Sequence, residues 1–166
     1  MSLYLYSYLL IQLVVVAWID IRHRKIPNTW IILNIVTFIF LILALPNPYA
    51  PSLQTFAYPL SFLALGFVLF LLNIMGGGDS KFLASFFLLI PTNRHETFFV
   101  VLLYTTIAVT FGLFLINSIR SRKKLAILLL TKDWSGLGQI YGKKIPFAPI
   151  ILFSWPPFGH IIGIWK

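Results

Sequence analysis

Four stretches of the chain, about Leu3–Ile19, Thr29–Leu45, Gln54–Ile74 and Thr97–Asn117, contain no charged residue. A run of roughly 20 apolar residues crosses the hydrocarbon core of a bilayer as a helix. Two further runs are shorter or interrupted: about Lys81–Ile90, closed by Pro91, and about Ile145–Trp165, which holds Pro146, Pro149, Pro156 and Pro157. The expected fold is therefore all-α, a polytopic transmembrane bundle of about six helices, with one domain over residues 1–166. Composition agrees: 59% of residues are hydrophobic and 10% charged, with a mean hydropathy of +0.91. A soluble domain of this length has too little interior to hide so much apolar surface.

The breaks between these runs are chemically distinct. Pro27 suits the start of the second helix, where its missing N–H costs little, and Asn28 is placed to cap it. Pro46-Asn47-Pro48 stops that helix, and Gly76-Gly77-Gly78 ends the third. The fourth run is short enough to require a tilt or a non-helical start lined by protein. Prolines predict a kink in the sixth. Leu125–Leu130 is an apolar patch between basic residues, too short to span and read as lying on the membrane surface. The N-terminus turns apolar at once, with no basic start or small-residue cleavage site before Asp20, which reads as a retained span rather than a signal peptide.

The net charge of +9 is a feature of loops. Alternating six spans puts Arg22, Arg24, Lys25, Lys81, Arg120, Arg122, Lys123, Lys124, Lys132, Lys143 and Lys144 on one side, and only Arg94 and Lys166 on the other. By the positive-inside rule the odd-numbered loops face the cytoplasm and both termini face out. These cations read as topology determinants that meet anionic lipid head groups, not as a nucleic-acid site. Cysteine is absent, which excludes disulfides, thiolate zinc sites and a cysteine nucleophile. His23 and His95 are read as loop residues and His160 as packed or interfacial. With no clustered carboxylates, neither a metal nor a cofactor is expected.

The chain has four acidic residues in all. Glu96 and Asp133 fall in solvated positions, but Asp20 and Asp79 lie where two spans reach the same, cytoplasmic face. Carboxylates beside hydrocarbon are expensive and tend to mark function. Each has a plainer reading. Asp20 can be a polar helix end beside Arg22, Arg24 and Lys25, although a carboxylate at a helix C-terminus opposes the helix dipole. The glycine run can be a simple turn, although glycine permits positive φ and close backbone approach directly beside Asp79. Lys81 either favours the charged form of Asp79 or snorkels to the interface.

Taken together these segments are familiar. Asp20, followed by Arg22-His23-Arg24-Lys25-Ile26-Pro27-Asn28, resembles the first motif of type IV prepilin peptidases. Gly76-Gly77-Gly78-Asp79-Ser80-Lys81-Phe82 resembles their second, the Gly-x-Gly-Asp motif shared with presenilin-like intramembrane aspartyl proteases. Gly142-Lys143-Lys144-Ile145-Pro146-Phe147-Ala148-Pro149 is similar to the start of their last span. The resemblance implies Asp20 and Asp79 as the catalytic pair; Gly76, Gly77, Gly78, Lys81, Pro27 and Asn28 are read as substrate-binding or supporting motif residues. It implies cleavage of prepilin or pseudopilin leaders at the cytoplasmic boundary of the prokaryotic inner membrane. Without the cysteine-bearing zinc segment of the larger enzymes, the match is to the short, peptidase-only form, and N-methylation of the product is not expected.

Such a pair would work by aspartyl proteolysis, one carboxylate as general base and the other as general acid. Two rival readings remain open: a small proton-coupled transporter using the carboxylates as a relay, and a scaffold subunit of a pilus-assembly machine. Nothing in the sequence sets the oligomeric state.

Overall fold

The computed structural model describes residues 1–72, 75–122 and 147–164, and among these every regular element is helical. Helix α1 spans Leu3–His23, α2 Asn28–Ala44, α3 Pro46–Tyr49, α4 Leu53–Leu71, α5 Gly77–Phe87, α6 His95–Arg120 and α7 Ala148–Ile161, with a 3₁₀ turn at Thr92–Arg94 before α6. Boundaries follow local chemistry. The Ser2 hydroxyl accepts the Leu5 N–H at 3.3 Å and caps α1, while Ser52 and Thr55 form a reciprocal capping box on α4. Pro46-Asn47-Pro48 does more than stop α2, since it folds into the single turn of α3.

Helices α1, α4 and the 3₁₀–α6 segment are long and apolar enough to cross a membrane, and α2 is a slightly shorter apolar helix of 17 residues. Their outer faces expose Trp18, Phe40, Phe67, Tyr104 and Phe111, side chains suited to lipid contact. The chain is an all-helical, polytopic membrane bundle. Helix α5 differs in kind. Its 11 residues reach only about 16 Å, roughly half the hydrocarbon thickness, and Ser80 and Phe82–Phe87 are all buried. It is an interior element, packed by α4 on one side and α2 on another, while α7 packs against both α1 and α6.

Several expectations shift. Helix α5 starts at Gly77, inside the glycine run, rather than near Lys81. No glycine of that run has a positive φ, which among the described residues is confined to Arg24 and Gly163. Asn28 is the first residue of α2 and makes no side-chain cap; Pro27 holds the cap position with φ −63°. His95 is not a loop residue: it opens α6 and is 1% exposed. The Leu125–Leu130 patch, Asp133, Lys123, Lys124, Lys132 and the Gly142–Pro146 part of the third motif lie outside the described residues.

Candidate active site

Asp20 lies on the inward stripe of α1. Leu9, Leu13, Val16, Ala17 and Asp20 recur at helical spacing, and all are buried, Asp20 with 2% of its surface exposed. The sequence reading ended the helix at this residue. Instead α1 continues through His23 and closes at Arg24, whose left-handed backbone (φ 51°, ψ 33°) lets its N–H donate to the Asp20 carbonyl at 2.8 Å.

The carboxylate's partner comes from the far end of the chain. The Ala148 N–H donates to Asp20 Oδ2 at 3.1 Å, and Ala148 is the first residue of α7. Amides in a helix's first turn lack intrahelical acceptors, and that end of the helix dipole favours a negative group. The objection to a carboxylate at the C-terminus of α1 is thus answered by the N-terminus of α7.

Asp79 is held in a related way. It is the third residue of α5, and its Oδ2 accepts the Gly76 N–H at 3.1 Å, as the acidic half of a capping box does. Asp79 is half-buried. The glycines before it are not equivalent. A Cβ on Gly78 would lie 3.1 Å from the Ile26 carbonyl oxygen, and one on Gly76 would lie 2.8 Å from Asp79 Oδ2, whereas one on Gly77 would meet only the Phe70 ring at 3.5 Å. Glycine at 78 lets the strip before Asp79 rest on Ile26, a buried residue in the loop that follows Asp20. The two aspartate segments therefore meet at one end of the bundle, together with the start of α7.

One helix further out, Gly66 of α4 faces Ser80. A Cβ there would sit 2.1 Å from the Ser80 Cβ, so the close packing of α4 on the first turns of α5 requires glycine. Ser80 is itself 4% exposed, so a larger side chain there would disturb the same contact. Pro27, Asn28 and Lys81 are exposed. Among the described residues no three His, Asp or Glu side chains converge as metal ligands.

The sequence reading passed over a buried polar chain deeper in the bundle: Gln12 on α1, Asn34 on α2 and Ser85 on α5 are hydrogen-bonded in series. The signal was available, because Gln12 and Asn34 are amides inside otherwise apolar runs.

A helical membrane bundle that brings two carboxylate-bearing segments together at one end defines a membrane protein with a candidate acid–base site. The description "type IV leader peptidase family" matches residues 7–119, a stretch that includes both aspartates and α2 to α5 entire. The chain belongs to that family and is a peptidase. No curated protein and no solved structure matches it.

Proposed function

We propose that this chain is an intramembrane aspartyl endopeptidase that removes the basic leader of type IV prepilins or pseudopilins, with Asp20 and Asp79 as its catalytic pair. The observation that carries the reading is the seating of Gly78 on Ile26, which draws the loop after Asp20 onto the residue before Asp79. Two carboxylates near one another resist both being charged, so they share a proton and titrate as a pair.

In the reaction, the ionised carboxylate takes a proton from water as the water oxygen bonds to the scissile carbonyl carbon. The protonated partner gives its proton to the carbonyl oxygen, forming a gem-diol. Collapse of that intermediate breaks the C–N bond, and a proton passes to the departing amine. The chemistry requires neither metal nor cofactor.

An apolar groove of about 350 Å³ supports a membrane-embedded substrate. It runs between α4 and α6 over Leu83 of α5, lined by Phe62, Leu65 and Leu102, and reaches Met75 and Phe147. Those two residues directly precede Gly76 and Ala148, the amides that bind Asp79 and Asp20. The apolar helix of a pilin lying in this groove would bring its adjoining leader bond to the carboxylates. The charge pattern of the loops supports a cytoplasmic, inner-membrane location for this end. A transporter would call for titratable groups at several depths; at the other end Glu96 is exposed on the first turn of α6, and buried His95 spends its Nε2 on the Ile90 carbonyl.

The test is reconstitution of the purified chain with a full-length prepilin, read by mass spectrometry of the product's N-terminus. Leader removal with an unmodified new amine is expected, unaffected by chelators or thiol-alkylating agents. An intact prepilin at all enzyme concentrations would remove the proposal, and strong chelator inhibition reversed by one metal would replace its chemistry.

A further inference from the structure

The Gln12–Asn34–Ser85 chain joins the helix of Asp20 to the helix of Asp79 through a third helix. Gln12 Nε2 donates to Asn34 Oδ1, Asn34 Nδ2 donates to Ser85 Oγ at 2.9 Å, and Ser85 Oγ donates to the Phe82 carbonyl at 2.9 Å. All three side chains are buried, with exposures of 3%, 0% and 5%.

Stability alone is a poor reason for this arrangement. Amide and hydroxyl contacts between membrane helices contribute little net stability. Gln12 Oε1 is buried without a partner among the described residues, and an orphaned acceptor is a liability. A leucine at either amide position would suit an interior otherwise built of Leu9, Leu13, Phe38, Phe82 and Phe86.

What the chain specifies is register. Gln12 precedes Asp20 by eight residues, about 12 Å along α1, and Ser85 follows Asp79 by six, about 9 Å along α5. Asn34 follows Asn28 by six residues on α2, again about 9 Å. The three polar groups thus form one layer and the two aspartates another, roughly two turns away. A slip of one residue in α1 would shift Asp20 by about 1.5 Å and turn it by about 100°, and the same slip would pull Gln12 off Asn34. Apolar contacts tolerate such slips, whereas a donor–acceptor chain across three helices is satisfied in one register only, the use for which buried polar groups are best attested.

We propose that Asn34 is a positioning residue: by bonding Gln12 and Ser85 at once, it fixes the axial register of α1 against α5 and hence the placement of Asp20 relative to Asp79. The inference rests on the aspartyl-peptidase reading above.

The experiment compares parental protein with Asn34→Leu and Ser85→Ala, reconstituted with prepilin, by thermal midpoint, kcat, KM and the pH dependence of kcat. Each variant leaves a buried amide without a partner and should lower the midpoint modestly, so the deciding readouts are kcat and the pH profile of the folded protein. The Asn34→Leu kcat should fall about 10- to 100-fold, as small displacements of catalytic groups do, with KM within about twofold because substrate binding is not touched. The two limbs of the pH profile should also move toward each other, since carboxylates further apart couple less. Ser85→Ala should show the same changes in smaller measure and supplies the readout if Asn34→Leu does not insert.

Parental kcat in both variants overturns the inference. So does a fall in kcat with unmoved pH limbs, which means only less active protein, and so does failure of both variants to insert, which makes the chain structural. Full activity in Asp20→Asn or Asp79→Asn would instead overturn the underlying reading, so the two failures are distinct.

Discussion

The two ends of the bundle hold their inward-facing ionisable side chains in opposite ways. At the aspartate end, backbone amides donate to side-chain carboxylates: Ala148 to Asp20 and Gly76 to Asp79. At the other end, side chains donate to backbone carbonyls: Tyr49 to Leu89 at 3.2 Å, Tyr6 to Trp155 at 3.1 Å, and the His95 ring Nε2 to Ile90 at 2.9 Å. Packing differs in the same sense. The second end is filled with aromatic rings, Phe87 lying against Tyr58, His95 and Phe98, and Trp155 against Tyr6, Phe98 and Phe158. The first is assembled by glycines, Gly78 resting on the Ile26 backbone and Gly66 on Ser80. One end is plugged by large apolar contacts, and the other holds ionisable oxygens on fixed amides. The contrast predicts that substitutions at the aspartate end lower activity, with or without stability, whereas those at the other end lower stability alone.

The largest effect falls on the carboxylates. Asp20→Asn and Asp79→Asn nearly preserve shape but cannot ionise, and each should reduce prepilin cleavage by roughly 10⁴-fold or more while leaving insertion intact. The double variant should cost little more than either, because members of a catalytic unit are not additive. Asp133→Asn is the control and should cleave at the parental rate. Normal cleavage by either dyad variant would break the division between the two ends.

Glycine variants sharpen it. Gly66→Val drives a branched side chain into Ser80, beside Asp79, and should lower stability by about 1–3 kcal/mol or more together with activity. Gly78→Val and Gly76→Val should impair cleavage more than Gly77→Ala, since the Cβ of residue 77 meets only ordinary contacts. Equal tolerance across the run would reduce it to a turn.

At the opposite end the expectation reverses. Tyr49→Phe leaves the Leu89 carbonyl without its hydroxyl donor and should lower stability by about 1–3 kcal/mol, seen as a lower thermal midpoint with kcat unchanged. Burial also pushes the Tyr49 phenol above its usual range, so folding favours the protonated form. Its contribution is fully present below about pH 10 and is lost as pH rises beyond that. Stability should therefore fall in alkali more steeply for the parent than for Tyr49→Phe.

The smallest effect concerns Lys81, which is exposed. An acidic residue early in the mature pilin meeting Lys81 would make a solvent-screened pair worth no more than about 1 kcal/mol. Lys81→Glu should raise KM by no more than about fivefold at constant kcat, and an unchanged KM for every pilin would dismiss that contact.

Much of this was legible in the sequence because lipid imposes simple rules. Uncharged runs gave the long helices, and scarce acids beside glycine and proline marked the candidate site. What escaped notice depends on distant partners. That Asp20 points inward is decided by the stripe from Leu9 to Ala17, a phase that an all-apolar run disguises. That its carboxylate is tolerated depends on α7, joined to it by a contact between residues 128 positions apart. The glycine run was read through positive φ and close approach together; only the second holds, and what is approached, Ile26, is set by the fold. Helix α5 was placed too late because glycine lowers helix propensity, and burial between α4 and α2 overrides that preference. His95 looked like a loop residue for want of any local sign that Tyr58 and Phe87 would enclose it.

The claim on which the rest depends is that residues 20 and 79 face one another, and the absence of native cysteine makes this directly measurable. Asp20→Cys combined with Asp79→Cys, treated in the membrane with a short bifunctional maleimide and digested, should yield a cross-linked peptide pair by mass spectrometry. Thr55→Cys with Thr92→Cys, whose hydroxyls lie 3.0 Å apart at the other end, serves as the positive control. Efficient cross-linking of the control pair without any between positions 20 and 79 would contradict the account.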